Sequence, residues 1–167
     1  MKIEKISDIY EVLKGYTRKK RLVVAFANDS HSIEAVYMAV KAGLVEGILV
    51  GDTETIQGVC KENGYDESCF KIVHEPNDVR GAETAVEMIR NGEADVIMKG
   101  LVSTDKYMRA ILNKERGLVA PNAILSHVVV MECSSYHKLL TVSDVAVIPC
   151  PDLNQKISMI KYVTITA

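Results

Sequence analysis

No apolar run in this sequence approaches the roughly 20 residues that a membrane-spanning helix requires. The opening stretch, MKIEKISDIYEVLK, interrupts its apolar positions with charges, so it lacks the continuous hydrophobic segment of a secretory signal, and the expected compartment is the cytoplasm. Cysteine is sparse. Cys60, Cys69, Cys133 and Cys150 form no CxxC pair and have no His at ligand spacing, which argues against a metal site and reads as free thiols, most of them buried. Positive charge is not in excess: a net charge of −2 speaks against nucleic acid as a partner. The one basic cluster, Arg18-Lys19-Lys20-Arg21, stands directly before a strand and reads as a solvated connection. Internal repeats, low-complexity tracts and linkers are missing, and the glycine spacing matches neither the P-loop nor the dinucleotide fingerprint.

What is present is the material of one domain: 167 residues, 48% hydrophobic and 25% charged, enough for a real core. Ile6, Ile9, Tyr10 and Leu13 recur at helical spacing over residues 3–13, with Gly15 as a stop. The run LVVAF (22–26) is continuously apolar, as in strands covered on both faces. A polar cluster, Ala27-Asn28-Asp29-Ser30-His31, then leads into a helix with Ile33, Val36, Tyr37 and Val40 on one face. The same alternation continues. Strands are expected at 48–50 and 70–73, each followed by a helix, the first capped at Asp52 and the second at Asp78. Such alternation over about 110 residues means right-handed βαβ units and a parallel sheet. Beyond Leu112 the texture changes. Extended segments at 123–131 and 136–141 suggest a hairpin added to that sheet, with a further strand at 145–148. Asp152 and Gln155 then make a capping box for a last helix, which closes on the β-branched tail VTITA.

The chain is organised around ADVIMKGLVSTDKYMRAIL (94–112): a short buried strand, a turn at Lys99 and Gly100, and a helix opened by Ser103 or Thr104. A strand, a glycine turn and a hydroxyl-capped helix aim free N–H groups and the positive end of a helix dipole at one spot, which suits an anion; an ordinary capped corner is the plainer reading. Lys99 and Arg109 add cations, although Arg109 is also spaced for an i,i+4 pair with Asp105. Residues 28–32 repeat the arrangement, so Ser30 and His31 are further candidates.

Four blocks in order, ADVIMKGLVST, MRAILNKERGL, LSHVVVMEC and SDVAVIPCPDLNQKISMI, resemble the N-terminal half of the phosphate acetyltransferase and phosphate butyryltransferase family, nearer its butyryl branch. The resemblance runs across nearly all of the chain. It implies a three-layer α/β/α fold with a mainly parallel sheet, like that of isocitrate and isopropylmalate dehydrogenases. On this resemblance, residues 1–167 form a single α/β domain and the second domain is absent. The implied reaction is reversible acyl transfer, short-chain acyl-CoA plus phosphate giving acyl phosphate plus CoA. CoA and phosphate are then substrates, and there is no cofactor. Arg109 matches an arginine that the acetyl branch uses at its active site, and is expected to be catalytic through phosphate or CoA-phosphate contact. Gly100, Ser103 and Thr104 complete a phosphate cradle, joined by Lys99 where the acetyl branch carries Ser. The family's Ser-Arg pair and carboxylate base belong to the absent half, so activity alone is expected to be weak or nil, and the partners are acyl-CoA, phosphate and either another copy or the missing C-terminal half.

Other residues carry plainer readings. His127, inside an apolar run, reads as a core histidine bonded to backbone before a catalytic one; His74 and His137 are structural or exposed; Asp144 stands at the sheet edge where α/β ligands bind, with turn formation the plainer reading. Arg80 opens a helix where a cation opposes the dipole, hinting at an anion or a carboxylate partner. Two rival functions stand beside acyl transfer. One is a non-catalytic anion-binding or interaction module. The other is a metal- and nicotinamide-dependent decarboxylating dehydrogenase, disfavoured because paired acidic metal ligands are lacking.

Overall fold

A computed structural model describes residues 3–167. In chain order the elements are α1 (Ile6–Lys14), β1 (Lys20–Ala25), α2 (Ser30–Lys41), β2 (Val45–Gly51), α3 (Thr53–Asn63), β3 (Phe70–His74), α4 (Asp78–Arg90), β4 (Val96–Lys99), α5 (Thr104–Leu112), β5 (Val129–Met131), β6 (Leu140–Val142) and α6 (Leu153–Thr166). They fall into two compact units, Tyr16–Val119 and the described residues up to Gly15 together with Ala120–Ala167.

In the first unit four parallel strands stand in the order β3-β2-β1-β4, with Val23 of β1 level with Ile48 on one side and Ile97 on the other. The sheet divides its apolar side chains by the two-residue period of a strand. Val23, Ala25, Ile48 and Val50 meet Ala82, Ala85 and Val86 of α4 and Ala110 of α5 on one face. Val24 and Leu49 meet Ile33 and Val36 of α2 and Ile56 and Cys60 of α3 on the other. Hence the three-layer α/β/α arrangement, with β1 fully buried at Val23, Val24 and Ala25.

The caps follow the side chains. Asp29 and Asp52 each accept a helix-opening N–H, from Ser32 and Thr55, both at 2.8 Å. At α4 the cap is Asn77, not Asp78: Asn77 keeps an extended backbone and takes the Arg80 N–H at 3.0 Å. Asp78, already helical, instead binds Lys106 at 2.6 Å. Gly64 ends α3 at φ +69, a left-handed conformation that glycine adopts without strain.

In the second unit β5 and β6 pair antiparallel as a separate two-stranded sheet, not as an addition to the parallel one. Only the last three residues of the 123–131 run pair, while the Ser126 hydroxyl and the His127 N–H donate to the Asp144 side chain instead. The expected strand at 145–148 does not form: the Asp144 carboxylate accepts the N–H groups of Ala146 and Val147, both at 2.8 Å, and so removes donors that a ladder would need. The Asp152–Gln155 capping box is present, with reciprocal bonds of 2.9 and 2.8 Å. Helix α6 runs on through its β-branched tail to Thr166, where the Thr164 and Thr166 hydroxyls donate back to the carbonyls of Ile160 and Tyr162. Of the cysteines only Cys60 is buried, contrary to the expectation for most of them; Cys69 lies in a 3-10 turn and Cys150 is exposed between two prolines. Among the described residues no helix is long and apolar enough to cross a membrane.

Candidate anion site at the switch point of the sheet

The strand order makes the β1–β4 boundary the place where successive crossovers turn in opposite directions, and in open α/β sheets ligands bind beyond the carboxyl ends of the strands there. Two turns meet at that edge, 26–29 after β1 and 100–103 after β4. The Gly100 and Leu101 N–H groups donate to the carbonyls of Ala25 and Phe26 at 3.0 and 2.8 Å. Phe26 itself is left-handed at φ 64. A Cβ on Gly100 would collide with the Phe26 carbonyl oxygen and lie 2.9 Å from that of Ala25, so only glycine lets the turns close. The β1 turn is tied in addition to α3: Asn28 Oδ1 accepts the Asp52 N–H at 2.9 Å.

Each turn delivers a helix N-terminus. Ser103, rather than Thr104, caps α5, its Oγ accepting the Lys106 N–H at 3.3 Å. The N–H groups of Thr104 and Asp105 meet no acceptor among the described residues, nor do those of Ser30 and His31 at α2, and all four residues are exposed. The fold therefore brings Gly100, Ser103, Thr104, Ser30 and His31 to one edge, where two helix dipoles add positive potential. Lys99 is at the same turn, its Nζ folded back to within 3.4 Å of the Gly100 carbonyl. Asp29, inside the 28–32 loop, caps α2 with Oδ1 while its buried Oδ2 has no partner among the described residues.

Arg109 is elsewhere. Its Nε lies 3.1 Å from Asp105, both side chains well exposed, and it lines a groove of about 860 Å³ between α4 and α5 that also holds Arg80, Lys106 and Arg116 among Glu83 and Glu87. Arg80 has found a carboxylate, Glu75 at 3.2 Å. The Lys106 hydrogen bond holds the Asp78 carboxyl below its ordinary value.

In the second unit burial would raise the Asp144 pKa, but the N–H groups of Val147, Ala146 and His127 and the Ser126 hydroxyl outweigh it and hold the group well below the carboxylate range. The turn expected at Asp144 is thus formed. The backbone bond expected of the His127 ring is not: its Nδ1 is buried without a partner among the described residues, and only its main-chain N–H is bonded, to Asp144. His74 Nδ1 lies 3.0 Å from Thr53 Oγ1, and His137 rests against Tyr136.

A profile of the phosphate acetyl/butaryl transferase family matches residues 74–165, more than half of the chain. The phosphate butyryltransferase of Clostridium acetobutylicum is 40% identical over 158 residues, 95% of this chain and 52% of that protein. The phosphate acetyltransferase of Thermotoga maritima is 33% identical over 94% of this chain and 52% of its own length. Among solved structures, a branched-chain phosphotransacylase from Enterococcus faecalis superposes with a TM-score of 0.68 at 23% identity, covering 84% of this chain and 49% of that one, a likeness of fold. This chain spans about half the length of the curated relatives it matches. From the profile match and these identities, it belongs to the phosphate acetyl/butaryl transferase family.

Proposed function

We propose that this chain supplies the phosphate-holding part of a phosphate acyltransferase, which converts a short-chain acyl-CoA such as butyryl-CoA and inorganic phosphate into acyl phosphate and CoA. The observation that carries the reading is the glycine-closed junction at the β1–β4 boundary, where the turns leading into α2 on one face of the sheet and α5 on the other meet at one edge. Phosphate is held there by the Thr104 and Asp105 N–H groups and by the hydroxyls of Ser103 and Thr104, with Ser30, His31 and Lys99 at the rim. A phosphate oxygen attacks the thioester carbonyl carbon. The new C–O bond forms as the C–S bond breaks, and the departing CoA thiolate takes up the proton that the attacking hydrogen phosphate gives up. Oriented N–H groups neutralise the oxygens during this transfer without having to reorganise. Arg109 is the contact for a second phosphate, that of CoA, once it leaves Asp105.

The relatives' length favours one further reading, that this half binds phosphate without turning substrate over. A single experiment separates the two. Phosphate-dependent release of CoA from butyryl-CoA is followed with this chain and with Arg109→Ala, beside melting in phosphate. Release that falls with Arg109→Ala supports catalysis by this chain. A phosphate-dependent rise in Tm without release supports binding alone. Neither signal would remove both readings.

A further inference from the structure

Lys99 is the last residue of β4 and stands in register with Ala25, so its side chain leaves the sheet where the two turns meet. Its Nζ donates to the Gly100 carbonyl at 3.4 Å, a long bond. The neighbouring cations are engaged: Lys106 with Asp78 at 2.6 Å, Arg109 with Asp105 at 3.1 Å and Arg80 with Glu75 at 3.2 Å. Among the described residues no carboxylate pairs with Lys99, and it is exposed. An amine on a flexible stem, held by one weak bond, turns readily toward whatever occupies the turn beside it. Deprotonated, it is a nucleophile.

The reaction proposed above leaves an electrophile at this place. An acyl phosphate is a mixed anhydride, its carbonyl carbon separated from phosphorus by a single oxygen. A phosphate group held at the 100–104 turn therefore keeps the carbonyl at the rim, beside Lys99. Resting on that phosphate-holding reading, we infer that Lys99 is a site of self-acylation by the acyl phosphate product. The Nζ lone pair attacks the carbonyl carbon. The C–N bond forms as the C–O bond to phosphate breaks, the electron pair leaves on inorganic phosphate, and phosphate takes the proton that the amine gives up. The amide left behind has lost the lysine charge, so accumulated product weakens the cradle that made it.

The test uses the intact chain and chemically prepared butyryl phosphate, with acylation read lysine by lysine by peptide mass spectrometry at one pH. Lys41 and Lys61 are exposed and occupy the last turns of α2 and α3, away from the edge where those helices begin, and serve as references. Lys99 is expected to react at least about tenfold faster than either, because the donor is held against it, and saturating inorganic phosphate should slow Lys99 alone. Equal rates at the three lysines overturn the inference. So does fast labelling of Lys99 that phosphate leaves unchanged, since the donor is then not held in the cradle, and so does faster labelling by butyryl-CoA than by butyryl phosphate, which makes the thioester the donor. The acyl phosphate is supplied ready-made, so no turnover is needed. If inorganic phosphate still shifts the Thr104 and Asp105 amides while Lys99 reacts no faster than the references, the acylation alone fails; a chain that shows neither loses the phosphate-holding reading as well.

Discussion

Replacing Gly100 by alanine places a methyl group against the carbonyl oxygens of Phe26 and Ala25, which belong to the end of the central strand and cannot swing aside as a side chain would. Forcing a methylene-sized group into a packed site costs about 1–3 kcal/mol. If the turn retreats instead, the bonds from Gly100 to Ala25 and from Leu101 to Phe26 stretch, each with a net worth of about 0.5–1.5 kcal/mol. Either route gives about 1–3 kcal/mol. With a urea slope of about 2 kcal/mol per molar, the unfolding midpoint should fall by about 0.5–1.5 M. Gly58, inside α3 with nothing near the position of a Cβ, is the control: Gly58→Ala should raise stability by up to about 1 kcal/mol through helix propensity alone. The assay is urea unfolding followed by circular dichroism. A Gly100→Ala midpoint equal to that of the parent protein would refute the claim that the two turns are closed by the absence of a side chain.

Further expectations follow from the core, the caps and the carboxylates. Ile33→Ala, which empties a fully buried position under the sheet, should cost about 2–5 kcal/mol in urea unfolding, and a loss under 1 kcal/mol would contradict the burial. Asn77→Ala should cost about 1 kcal/mol at the α4 cap, more than the same change at Thr104, which caps nothing. Asp95 is held down first by the Arg21 guanidinium and then by the Arg21 N–H, and Asp144 by its ring of donors, both below the ordinary 3.8. A carboxylate depressed in the folded state binds fewer protons there than in the unfolded chain, so its stabilisation is complete above pH about 4–5 and fades as the pH falls toward the depressed value. Tm should therefore hold between pH 7 and 5 and drop below about 4, less steeply in Asp95→Asn; a decline beginning near pH 6 would point to other groups.

The first unit was legible because its signals are local. The continuous apolar run of β1, the helical spacing of Ile33, Val36 and Val40, and the acid and glycine caps each describe an element that then forms where its residues lie. The site was half legible. Gly100 and Ser103 announce a turn and a cap, but that Gly100 sits on the backbone of Ala25 follows from strand order, which no local pattern carries. Asp78 misled because an acid at a helix start serves equally as cap or as first-turn residue, and Lys106, 28 positions away, settled the competition. The stretch from 123 to 148 misled for a related reason. Its β-branched residues favour strands, yet Asp144 gathers four donors, two from 126–127 and two from 146–147, three of them backbone N–H groups that a ladder would otherwise use. Arg109 kept the partner that its own helix provides.

The most direct test of the central claim is a titration of the ¹⁵N-labelled chain with inorganic phosphate, followed by amide chemical shifts. Saturable shifts of Thr104 and Asp105 together with Ser30 and His31 are expected, since both helix N-termini face the same anion. Shifts confined to the α4–α5 groove around Arg80 and Arg109, or no saturable shift at all, would contradict a phosphate site at the β1–β4 switch point.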